Sequence, residues 1–100
     1  MSQNVTRAIE EDARLALLTT LYQQSDGRLN DMLCTQFLEA SGHFRTREWV
    51  RTQLRKMEEI GAIKMTEVGT VLIAEISTAG VDHILRRGRI EGIKQPALGA

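Results

Sequence analysis

The sequence predicts a mainly α-helical domain that carries one small β-hairpin. Three observations lead there: helical periodicity in four segments, two short segments rich in Ile, Val and Thr divided by Gly69-Thr70, and Gly or capping residues at nearly every boundary between them. One hundred residues suit a single core and leave no room for a catalytic domain beside a regulatory one.

The first helix is expected from about Thr6 to Gln24, ending in the turn cluster Ser25-Asp26-Gly27. Its apolar residues fall on two opposed faces, Ile9, Ala13, Ala16, Leu17 and Leu21 on one and Ala8, Leu15, Leu18 and Tyr22 on the other. A small domain has one interior. The second face therefore meets a partner subunit, the C-terminal segment or the last helix, and Leu15, Leu18 and Tyr22 are the candidates for a homodimer interface.

A short second helix follows from Asn30, its N-cap, to Ala40, with Leu33, Phe37 and Ala40 along one stripe; Ser41-Gly42 stops it. Thr46 caps a third helix that ends at Gly61, in which Val50, Leu54, Met57 and Ile60 recur at core-facing spacing. Strands over Ala62–Val68 and Val71–Ile76 flank the two-residue link Gly69-Thr70, a tight-hairpin signal. Ser77 or Thr78 caps a last helix from about Ala79 to Arg87, with Val81, Ile84 and Leu85 facing inward. Residues 1–88 form the domain. The tail 89–100, with Gly92, Pro96 and Gly99, is expected to be irregular and either flexible or packed on a partner.

Thirteen basic and thirteen acidic side chains give zero formal charge, which opposes a strongly basic nucleic-acid coat protein. Their distribution is uneven. Residues 1–40 hold three basic and six acidic groups, residues 41–66 six and three, and residues 67–100 four of each. The excess lies on the third helix and its approach, where Arg47, Arg51 and Arg55 stand at i, i+4 and i+8 on one ridge opposite the apolar stripe. Guanidinium forks suit phosphates and the edge of guanine, Thr52 shares the face, and Arg45 and Lys56 flank it. The competing interpretation is a merely solvated charged face, with Glu48–Arg51 and Arg55–Glu59 paired along it. Trp49 is read as packing over the core edge in preference to stacking on a base.

The stretch TREWVRTQLRKMEEIGAIKMTEVGTVLIAEISTAG resembles the winged-helix superfamily that includes the bacterial MarR-like and ArsR-like repressors, and the likeness covers about residues 7–88. The end GRIEGIKQP is also similar, more weakly, to small winged-helix proteins of Mu-like phages and prophages. The resemblance implies a winged helix-turn-helix whose third helix enters the major groove of duplex DNA, with Arg45, Arg47, Arg51, Thr52, Arg55 and Lys56 as contacts. It further implies a transcriptional regulator, acting as a homodimer on half-sites about 34 Å apart. One departure stands out: the wing tip Glu67-Val68-Gly69-Thr70 carries an acid where such wings offer Arg or Lys. The rival class is a winged-helix module that binds another protein and no nucleic acid.

Other chemistries lack their residues. One Cys and two separated His give no metal-ligand cluster, no Gly-rich loop opens a helix to cradle phosphate, and no constellation points to an enzyme or a cofactor. Cys34, between apolar neighbours, is read as a buried small side chain. No run approaches the ~18 apolar residues of a membrane span, and the acidic N-terminal stretch lacks the pattern of an export signal, so a soluble cytoplasmic protein is expected.

Overall fold

In the computed structural model, which describes residues 2–98, four helices and a three-stranded antiparallel sheet surround one core. The elements are α1 (Gln3–Gln23), β1 (Arg28–Asn30), α2 (Asp31–Ala40), α3 (Arg47–Glu59), β2 (Ile63–Val68), β3 (Val71–Ile76) and α4 (Thr78–Ile84). No helix among the described residues is long and apolar enough to cross a membrane.

Each helix starts on a side-chain cap that satisfies an otherwise orphaned N–H. Ser2, Asn30, Thr46 and Ser77 accept from the backbone N–H of Val5, Leu33, Trp49 and Gly80 respectively. Three of these caps agree with the sequence. The fourth starts α1 one turn earlier than its periodicity predicts. Helix α3 closes as expected: Gly61 takes a φ of 87° and Ala62 N–H donates back to Met57 C=O, a Schellman ending. Helix α4 ends the same way but sooner, because Arg86 adopts the left-handed position (φ 60°) and Arg87 N–H reaches Asp82 C=O. Leu85, expected inside, is left exposed beyond the last helical turn.

The hairpin forms in the anticipated register, with Val68 opposite Val71 and only Gly69 of the two link residues at positive φ, the type II′ pattern. It gains a third strand. Arg28, Leu29 and Asn30 pair with Glu75, Ala74 and Ile73, so the sheet order is β1-β3-β2 and β3 is central. Three residues are too few to show a period-two pattern, so β1 has no sequence signal of its own; it is held by β3's free edge and the ion pair Arg28–Glu75 (3.4 Å).

Helix α1 runs through the middle of the molecule, burying Ala13, Leu17, Leu18 and Leu21 against Cys34 and Leu38 of α2, Val50, Leu54 and Met57 of α3, and Ala74 of β3. Its two-sided apolarity is met mainly within the chain. Leu18 is fully buried and Leu15 half-buried, while Tyr22 stays exposed. Leu18 therefore has no surface to give a partner, and its assignment to a dimer interface is corrected: α4 covers it. The contact is close because Gly80 brings the α4 backbone in. A Cβ there would lie 2.4 Å from the Ala62 carbonyl oxygen and 3.2 Å from Leu18 Cδ1.

Helix α2 also presents a different side from the one its Leu33-Phe37-Ala40 stripe predicts. Asp31, Cys34 and Leu38 face inward, and Leu33 and Phe37 join Met32 on the surface. Cys34 is buried as expected, and burial first, then the nearby Asp31 charge, push its thiol up to about 12.

The segment after α4 is irregular but is bound to its own chain. Ile93 is buried in the core, Arg14 Nη1 donates to Gly92 O (2.8 Å), and Lys94 N–H donates to Glu11 O (3.2 Å). Fully buried His83 accepts from Ile90 N–H at Nδ1 (3.0 Å) and donates from Nε2 to Lys94 O (2.9 Å). A backbone N–H only donates and a carbonyl only accepts, so this ring is the neutral Nε2–H tautomer. The folded unit thus extends past the expected boundary at residue 88, to at least Lys94.

Gly80→Ala should lower the unfolding free energy by about 1–3 kcal/mol, the usual range for overpacking, in urea denaturation. An unchanged midpoint would mean that α4 does not rest on the Ala62 carbonyl.

Candidate nucleic-acid interface

The arginine ridge of α3 is divided by a single buried carboxylate. Asp31, at the first position of α2, has no exposed surface, yet it accepts two hydrogen bonds from Arg47, from Nε to Oδ2 (2.8 Å) and from Nη2 to Oδ1 (3.2 Å). It takes a third from Leu72 N–H of β3 (3.3 Å), and Arg51 Nε lies 3.5 Å from Oδ2. Arg47 Nη2 also reaches Thr70 O at the hairpin tip (3.4 Å). The start of α2, the first two turns of α3 and the hairpin are therefore tied at one point.

Electrostatics follows the geometry. Burial pushes the Asp31 carboxyl upward, but the Arg47 hydrogen bonds, the Leu72 N–H and the charges of Arg47 and Arg51 outweigh it and hold the group below the usual carboxylate range. Asp31 stays ionised at neutral pH.

The six residues picked from the sequence thus separate into two sets. Arg47 keeps 37% of its side chain exposed and Arg51 only 18%, both directed to Asp31, with Arg51 Nη1 also 3.7 Å from Glu48 Oε1. The expected Glu48–Arg51 pairing is present. Arg55 and Lys56 are exposed and enter no ion pair among the described residues, so Arg55–Glu59 pairing is absent. Thr52 is exposed, its hydroxyl donating to Glu48 O (3.1 Å). Arg45 lies over the Trp49 ring, 4.7 Å from guanidinium carbon to centroid, and Trp49 itself packs against the core.

The rear of α3 is anchored to α1 through polar groups that periodicity does not flag. Gln53, almost fully buried, accepts from Arg14 Nε (2.9 Å) and donates to Glu10 Oε2 (3.1 Å). Elsewhere on α1, Asp12 joins His43 (2.7 Å) to Lys94 (3.1 Å). Asp31 and Gln53 are the residues sequence reasoning missed. The available signal was weak: an acid in the first turn of a helix reads as a helix-dipole term, and one Gln on an apolar stripe reads as an irregularity.

Between α3 and the hairpin runs a groove of about 440 Å³ lined by Arg55, Glu58, Glu59, Met65, Glu67 and Leu72. Met65 N–H donates to Glu58 Oε2 between its two sides (2.8 Å). The acid expected at the hairpin tip is thus accompanied by two more. Among the described residues no group of three His, Cys, Asp or Glu is placed to hold a metal ion. In comparisons with known proteins, the chain matches no protein-family model and no curated protein.

Because the Asp31 pKa is depressed on folding, its contribution is complete above the unfolded carboxylate value, near 3.9, and is lost as pH falls through the folded value. Asp31→Asn should therefore cost about 3 kcal/mol at pH 7, the low end for breaking a buried pair because Arg47 is partly solvated. The difference from the unsubstituted protein should shrink as the pH is lowered below about 4. Guanidinium denaturation across pH 2–7 reads both, and a cost that does not vary with pH would contradict the ionised clasp.

Proposed function

We propose that this chain is a winged-helix protein that binds duplex DNA through the outer face of α3 and serves as a transcriptional regulator in the cytoplasm. The observation that carries the reading is that Thr52, Arg55 and Lys56, with Arg45 at the approach to the capped helix, stand exposed, and that Arg45, Arg55 and Lys56 enter no ion pair among the described residues. A short helix of this kind fits the major groove, and side chains on its outer face reach bases or phosphates. Arg47 and Arg51 act in this reading as supports that orient α3. The exposed edge of Arg47 is secondary.

Two copies acting together offset the small number of free cations. A homodimer presents two α3 helices to half-sites one turn of duplex apart, with Tyr22 and Leu15 of α1 the remaining residues of the face assigned to self-association. A second reading, a winged-helix module that binds another protein and no nucleic acid, is favoured by the exposed apolar trio Met32, Leu33 and Phe37 on α2.

A duplex titration at several salt concentrations separates the two. With Arg45, Arg55 and Lys56 as the cations of this face that enter no ion pair among the described residues, log affinity per copy should fall with log salt at a slope no steeper than about −2.7. Absence of binding to a mixed-sequence duplex pool at low salt would rule out the DNA reading and leave the protein-binding module.

A further inference from the structure

Arg55 occupies an unusual place for a phosphate contact. It is the one cation in the groove between α3 and the hairpin, where Glu58, Glu59 and Glu67 supply three carboxylates. With all four groups ionised, the groove is net negative. A phosphate brought there would meet more repulsion than attraction, whereas a neutral acceptor would not. Guanine offers such an acceptor: its major-groove edge carries O6 and N7, two oriented lone-pair sites that match the guanidinium fork and no net charge. The other two ridge arginines are less available for that role: Arg47 is hydrogen-bonded to Asp31, and Arg51, 18% exposed, lies with its Nε 3.5 Å from the same carboxylate.

Resting on the DNA-binding reading above, we infer that Arg55 is the specificity-determining residue, reading a guanine through O6 and N7, while Glu58, Glu59 and Glu67 keep the hairpin off the phosphate backbone. Two consequences follow from the charge arrangement. Affinity for arbitrary duplex is low, because cations away from the groove supply it and the groove opposes it. Discrimination is high, because the strongest donor on the face is reserved for a base edge.

The test begins with selection of binding sites from a randomised duplex pool by the full chain, followed by scanning each guanine of the selected site with 7-deazaguanine, which lacks the N7 acceptor. One guanine position per half-site should lose about ten- to a hundredfold in affinity on replacement. In Arg55→Ala the same replacement should have no further effect, and the salt slope should match that of the unsubstituted protein, because no phosphate contact is lost. Glu67→Lys should raise affinity for non-selected duplex and steepen its salt slope.

If 7-deazaguanine is harmless at every position, or if Arg55→Ala weakens all duplexes equally and flattens the slope, Arg55 is a phosphate contact and the inference is wrong. A pool from which no duplex is retained overturns the DNA reading itself, a different result from retained sites that are insensitive to N7. Arg55 is exposed and enters no ion pair among the described residues, so its replacement leaves the fold intact, which circular dichroism verifies.

Discussion

Asp31 carries a full negative charge where no water reaches it, a state that would cost several kcal/mol if its partners were removed. Arg47, Arg51 and the Leu72 N–H make the charge tolerable, and in doing so they fix three elements relative to one another. The first turn of α2, the ridge of α3 and the central strand β3 meet there. A hydrophobic contact at the same place would hold the elements together without specifying direction. The two-toothed geometry of the Arg47 guanidinium on the carboxylate orients α3 against α2, and the separate bonds to Leu72 N–H and Thr70 O tie the hairpin to the same point. This constraint also explains why α2 turns its Leu33-Phe37 stripe outward: burying Asp31 places Cys34 and Leu38, one and two turns on, against the core.

Most of the fold was legible because it rests on local chemistry. Asn30, Thr46 and Ser77 cap helices where a hydroxyl or amide precedes a periodic run, Gly69 makes the hairpin turn, and Val50, Leu54 and Met57 form the buried stripe of α3. What escaped depends on long-range partners. Strand β1 exists only because β3 has an edge to offer, Leu18 is covered by a helix sixty residues away, and the tail is pinned by His83 and Arg14. Periodicity reports that a face is apolar. It does not report what lies across from it.

The arginine ridge of α3 was legible in the sequence, but its internal division was not. Arg47, Arg51 and Arg55 are equivalent in sequence spacing, and a ridge at i, i+4 and i+8 gives no reason to separate them. The separation comes from one acid sixteen residues before Arg47, whose role appears only when α2 and α3 are packed. A neutral chain with two of its three ridge arginines engaged internally has little charge to spend on phosphate. Specificity drawn from few, well-placed contacts is the mode of binding that such a surface can support.

The central claim, that the ridge divides into two arginines that support Asp31 and one, Arg55, that enters no ion pair among the described residues, is tested most directly by unfolding free energies of the three single substitutions to Ala at neutral pH. Arg47→Ala and Arg51→Ala should each destabilise the protein clearly, since each leaves Asp31 less compensated, while Arg55→Ala should match the unsubstituted protein to within about 0.5 kcal/mol, as for an ordinary surface change. Equal and small effects at all three positions would contradict the account.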